Sequence, residues 1–139
     1  MNQTDTIRHI LQTCRTVAVV GLSPKPQRDS FEVASYMQAQ GWRIIPVNPV
    51  AAASGAPILG ERVYASLVEA AQHEKIDLVD VFRNAADVPP VVADAIAIGA
   101  QAVWLQLGIE HAAAAAAAQA AGLQVVQNKC LLVEHAAGR

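Results

Sequence analysis

Five short, largely apolar runs recur along the chain: Val17–Val20, Arg43–Val47, Leu78–Phe82, Ala102–Leu105 and Gln124–Val126. Most are continuous β-branched or apolar stretches rather than alternations of apolar and polar residues. That pattern belongs to strands buried on both faces, as in a parallel sheet.

Helical segments separate the runs. Ile7, Ile10, Leu11 and Cys14 fall at i, i+3, i+4 and i+7, one face of a helix that Thr4 or Asp5 would cap, so residues 1–14 are expected to pack on the sheet as an N-terminal helix. A second helix is expected over Ser30–Gln40, with Ser30 as its cap and Gly41 as its stop. A short one is expected at Ser66–Gln72, capped by Ser66. The next starts after Asp87, carries Pro89 and Pro90 in its first turn, where missing N–H groups cost little, and ends at Gly99. The last begins near Glu110, contains the alanine run Ala112–Ala118 and closes at Gly122; its flat face suits close packing on a sheet. The stretch "VAAASGAPILG", 50–60, reads as a loop over the surface.

No repeat or linker divides the chain, so residues 1–139 are expected to form one doubly wound α/β domain around a five-stranded parallel sheet of order 3-2-1-4-5. A net charge of −2 gives no general attraction for nucleic acid or an acidic membrane, so any anion must be held by a local arrangement. No apolar run reaches membrane-spanning length, and the N-terminus lacks a secretory pattern, which points to the cytoplasm. The four histidines lack ligand spacing, and Cys14 and Cys130 do not form a metal or disulfide framework, so no metal site is expected.

Ligands of open parallel sheets bind beyond the carboxyl ends of the strands, where the strand order reverses. With the expected order, that crevice lies between the first and fourth strands, with Arg83 toward one edge. "VAVVGLSPKPQRDS" supplies a strand, a glycine and a helix start. Gly21 would let a phosphate approach the backbone, and the free N–H groups of the next helix would face it. Ser30 could donate its hydroxyl; Arg28 offers a planar fork and Lys25 a point charge. Asp29 and Glu32 oppose this, because acids in the first turn complement the helix dipole themselves. A Walker loop is absent. The dinucleotide pattern G-x-G-x-x-G keeps only its first glycine, and Asn48-Pro49 stands where its ribose-binding acid would be, so an NAD-binding protein is the weaker alternative.

In order along nearly the whole chain, "VAVVGLSPKPQRDSFEVASYM", "GWRIIPVNP", "ILGERVYASL", "IDLVDVFRN", "AIAIGAQAVWLQLGI" and "AGLQVVQNKCLLVEH" resemble the small stand-alone CoA-binding proteins. These have a Rossmann-like domain related to the N-terminal domain of the succinyl-CoA synthetase alpha subunit. The resemblance implies a site for coenzyme A or an acyl-CoA. It places Gly21, Leu22, Ser23, Arg28 and Ser30 around the pyrophosphate, with Lys25 beside them. Asn48 and Pro49 would border the adenosine, Leu105, Gln106, Leu107 and Gly108 would line the pantetheine path, and Arg83 would stand at its mouth. Relatives often carry a lysine just after the asparagine-proline, suited to the ribose 3′-phosphate; here Val50, Ala51, Ala52 and Ala53 occupy that region.

The main expectation is a CoA-binding protein without catalysis of its own, with a small nucleotide ligand and no nucleic-acid or membrane partner. An enzyme of thiol or acyl transfer would rest on Cys130 in "QNKC", where a thiol could face that of the pantetheine; its plain alternative is a small buried hydrophobe. A subunit that senses coenzyme A and docks on a protein partner is a third reading, although Trp42 and Trp104 suit core packing better than docking.

Overall fold

The computed structural model describes residues 2–138. In chain order the elements are α1 (Gln3–Thr13), β1 (Thr16–Val20), α2 (Asp29–Ala39), β2 (Arg43–Val47), α3 (Pro49–Ser54), α4 (Leu67–Ala71), β3 (Leu78–Val81), α5 (Val88–Ala97), β4 (Ala102–Leu105), α6 (Ala112–Ala120), β5 (Gln124–Val126) and α7 (Leu131–Gly138). A 3-10 turn, Ala85–Asp87, precedes α5.

All neighbouring strands run parallel, as the doubly wound α/β reading requires. The strand order is β2-β1-β3-β4-β5, which corrects the expected 3-2-1-4-5. The first crossover, through α2, carries the chain one way from β1 to β2. The second turns back over β1 and sets β3 on its other side. With right-handed connections, a reversal of direction puts the second crossover on the opposite face of the sheet. Accordingly α2, joined by α1 and α7, covers Val17, Val19, Ile44, Leu78, Trp104 and Val126. The other layer, α4, α5 and α6, covers Ala18, Val20, Ile45, Val47, Val79, Val81, Val103 and Leu105. Strands apolar on both faces give no sign of which face the next helix takes, so the sequence left this choice open. The crevice therefore lies between β1 and β3, and Arg83, just past β3, sits beside it rather than at an edge.

Three boundaries also differ from expectation. Asn2, not Thr4 or Asp5, caps α1, its side chain accepting from the Asp5 N–H. The stretch 50–60 is not all loop: Asn48 caps α3, Pro49 opens it and Gly55 closes it at φ +75°. Past β5 the chain forms α7, whose Leu131 enters the core and whose His135 Nδ1 lies 2.9 Å from the Tyr36 hydroxyl of α2. Trp42 and Trp104 are both buried, Trp104 donating its ring N–H to the Lys129 carbonyl at 2.8 Å.

One polar group lies within the sheet. Asp80 of β3 is paired in register with Val19 and Trp104 and is wholly buried. Among the described residues neither of its carboxyl oxygens has a hydrogen-bond partner. Burial pushes its pKa well above the ordinary carboxylate range; the Val81 main chain opposes this without supplying a well-formed bond.

Candidate ligand-binding site

Strand β1 ends where Gly21 turns the chain at φ +89°. The Gly21 N–H is already used, donating to the Val47 carbonyl of β2 at 2.8 Å. A Cβ at this position would overlap the Phe82 carbonyl oxygen. Glycine is thus required by the close passage of the β1 and β3 ends, whatever a ligand adds.

The loop that follows is held by its own serines. The Ser23 hydroxyl accepts from the Lys25 N–H at 3.1 Å, and the Ser23 N–H donates to the Ser30 hydroxyl oxygen at 3.0 Å. Ser30 is therefore not the cap of α2 but a buried member of its first turn, bound backward to the loop. Arg28 takes the cap position in extended conformation and makes no side-chain capping bond. The first helical N–H with a protein partner is that of Glu32, to the Arg28 carbonyl at 3.1 Å. Among the described residues, the N–H groups of Asp29, Ser30 and Phe31 have none. By contrast, α3, α4 and α6 are capped by the side chains of Asn48, Ser66 and His111. The α2 end is an open set of donors at the positive pole of a helix dipole.

Three cations surround it. Lys25, Arg28 and Arg83 are exposed and have no ion-pair partner among the described residues, whereas Arg8, Arg43 and Arg62 are each paired with a carboxylate. A depression of about 550 Å³ joins Gly21, Ser23, Lys25, Arg28 and Ser30. Arg28 and Phe82 also line a larger neighbouring cavity of about 850 Å³, which runs past Arg83 to Gln106, Leu107, Gly108 and Cys130. On the other side of Gly21 and Arg83, Pro49 and Pro90 border a hollow of about 310 Å³. Asp29, Glu32 and Asp87 share the large cavity, so its charge is mixed.

The remaining expected residues fall into different roles. Leu22 and Leu105 are fully buried and their side chains belong to the core. Asn48 is engaged at both ends of its amide: its Oδ1 accepts from the Val50 and Ala51 N–H groups, and its Nδ2 donates to the Leu22 carbonyl at 2.9 Å, fastening β2 to the loop. Gln106 is 4 % exposed; its Oε1 accepts from the Leu131 N–H at 3.1 Å, which holds the start of α7. Leu107 is 69 % exposed at the cavity mouth, and the Gly108 N–H donates to Asn128 Oδ1 at 2.7 Å. Cys130 is partly exposed, and its carbonyl accepts the Glu134 N–H at the start of α7. Val50 is 82 % exposed and lines none of these cavities.

Sequence reasoning missed Phe82, Asn84, Asp87, Leu132 and Val133 as cavity-lining residues. The last two follow from α7, which the apolar "LLVEHAAG" could have signalled. Asn84 and Asp87 required knowing that β3 is central.

Comparison with known proteins places this geometry in a lineage. The family model described as "CoA binding domain" matches residues 15–136. A Bacillus subtilis (strain 168) protein, "Uncharacterized protein YneT", is 36% identical over 130 residues, covering 94% of this chain and 92% of its own length. The solved structure of cell-free ID.343 from Thermus thermophilus superposes with a TM-score of 0.90 at 35% identity, covering 100% of both chains. A hypothetical protein from Pyrococcus horikoshii OT3 gives 0.88 at 35% identity, over 96% of this chain and 90% of that one.

Proposed function

This chain belongs to the CoA-binding-domain family, and on that premise we propose that it binds coenzyme A or an acyl-CoA across the β1–β3 crevice, as a carrier or sensor without catalysis of its own. The observation that carries this is the uncapped start of α2. Three free N–H groups there adjoin a depression lined by the unpaired Lys25 and Arg28, with the unpaired Arg83 in the cavity next to it, which suits a pyrophosphate. The pantetheine arm then follows the larger cavity past Gln106 and Leu107, and the adenosine side lies toward Pro49. Donors, cations and apolar walls are the equipment of a binding site, and a long anion with an apolar tail uses all of them.

The four residues 50–53 carry no cation, so the ribose 3′-phosphate either falls to Lys25 or Arg28 or gains little from this protein, and we propose the second. A thermal-shift panel tests both points. At a hundredfold excess over the dissociation constant, coenzyme A should add about 2.7 kcal/mol of native stability, or roughly 5–10 °C for a domain of this size. Dephospho-CoA should match it within about 1–2 °C, and NAD should give almost nothing. A shift with NAD but not with coenzyme A would overturn the assignment.

A further inference from the structure

We infer that Cys130 is a covalent modification site, which takes coenzyme A as a mixed disulfide when the coenzyme is supplied in its disulfide form. This rests on the coenzyme A reading above and adds to it a fate for the thiol end. Three observations carry it.

Cys130 is partly exposed and lines the same 850 Å³ cavity as Arg28 and Arg83, so one continuous cavity joins the α2 side to this cysteine. Gln106 lines that cavity while only 4 % exposed. Its Oε1 is engaged by Leu131, whereas its Nε2 has no partner among the described residues. An unused amide donor lining the same cavity as the thiol, on an otherwise buried side chain, suits a carbonyl of the pantetheine amides. The cavity mouth also exposes apolar groups, Leu107 at 69 % and Val133 at 54 %, which an uncharged arm would cover.

The exchange needs no reagent beyond the coenzyme's own disulfide. Cys130 loses its proton and its thiolate attacks one sulfur of that disulfide. A new Sγ–S bond forms, the old S–S bond breaks, and the departing coenzyme A thiolate takes up a proton. Cys130 is oxidised and one coenzyme A is reduced.

The chain carries its own control. Cys14 is fully buried, and burial together with the nearby Asp77 carboxylate pushes its thiol up to about 11, so it offers almost no thiolate near neutral pH.

The test is intact-mass and peptide mapping after incubation with coenzyme A disulfide, beside pantethine, which has the same disulfide without the nucleotide. Wild type should gain one coenzyme A, less its thiol hydrogen and that of the protein, at Cys130 and not at Cys14. Labelling should be at least tenfold faster than with pantethine at equal concentration. Cys130→Ser should gain nothing, yet bind reduced coenzyme A with affinity within about threefold of wild type. If wild type binds reduced coenzyme A by calorimetry but forms no adduct at Cys130, or pantethine labels as fast, the inference fails while the binding site stands. If reduced coenzyme A does not bind at all, the functional reading falls and this proposal with it.

Discussion

Replacing Asp80 with asparagine should stabilise the protein at neutral pH by about 2 kcal/mol, because the folded state must keep on this carboxyl a proton that the unfolded state has lost, at a cost of about 1.4 kcal/mol per pH unit between the two pKa values. Most core substitutions do the opposite. In the native state this carboxyl is wholly buried and unpartnered, and its pKa is raised by desolvation. The unfolded chain has an ordinary aspartate, ionising near ~4. Above that pH the native state therefore binds more protons than the unfolded state, and stability falls as pH rises toward the folded-state pKa. Asparagine cannot ionise, so the variant lacks this slope. Urea unfolding at pH 4 and at pH 8 should give nearly equal stabilities for the two proteins at the lower pH and a clear advantage for Asp80→Asn at the higher. Equal stabilities at both would show that Asp80 is solvated or paired in solution.

The second large effect concerns binding. Arg28→Gln combined with Arg83→Gln should weaken coenzyme A by about 100-fold, since hydrogen bonds to charged groups contribute about 1.5–3 kcal/mol each and both side chains are exposed enough to fall at the lower end. Neither guanidinium has an ion-pair partner among the described residues, so the melting temperature of the ligand-free protein should move by no more than about 2 °C. Wild-type affinity should also fall with added salt, and the double variant's should fall less steeply. Calorimetry at two salt concentrations measures all of this. An unchanged dissociation constant would remove both arginines from the site.

What the sequence shows and what it hides follows from the physics of each element. The strands β2, β4 and β5 end at the residues expected, because buried parallel strands are apolar runs with polar or glycine boundaries. Strand order was not legible. The same runs, apolar on both faces, fit a sheet that continues in one direction or reverses at β1, and that choice moved the crevice from the first and fourth strands to β1 and β3. Ser30 looked like a cap because serine before an apolar helix usually is one. The structure instead turns its hydroxyl to Ser23 and leaves the helix end open. Asn48-Pro49 with Gly55 spelled out α3, a cap, a first-turn proline and a left-handed stop, but the alanines between them lacked the periodicity that usually announces a helix. Gly21 in the sequence suggests room for phosphate, while its missing Cβ is already demanded by Phe82. Asp80 is silent in "IDLVDVFRN", since nothing in the neighbouring residues tells a buried carboxyl from one at a strand edge.

The central claim is that main-chain donors at the start of α2 hold the diphosphate of the coenzyme. Amide NMR of the ¹⁵N-labelled protein during titration with coenzyme A tests it most directly. The signals of Asp29, Ser30 and Phe31 should show the largest shifts and saturate together, with those of Gln106 and Leu107 following along the pantetheine path. If coenzyme A binds while these three amides stay in place, the diphosphate is held elsewhere.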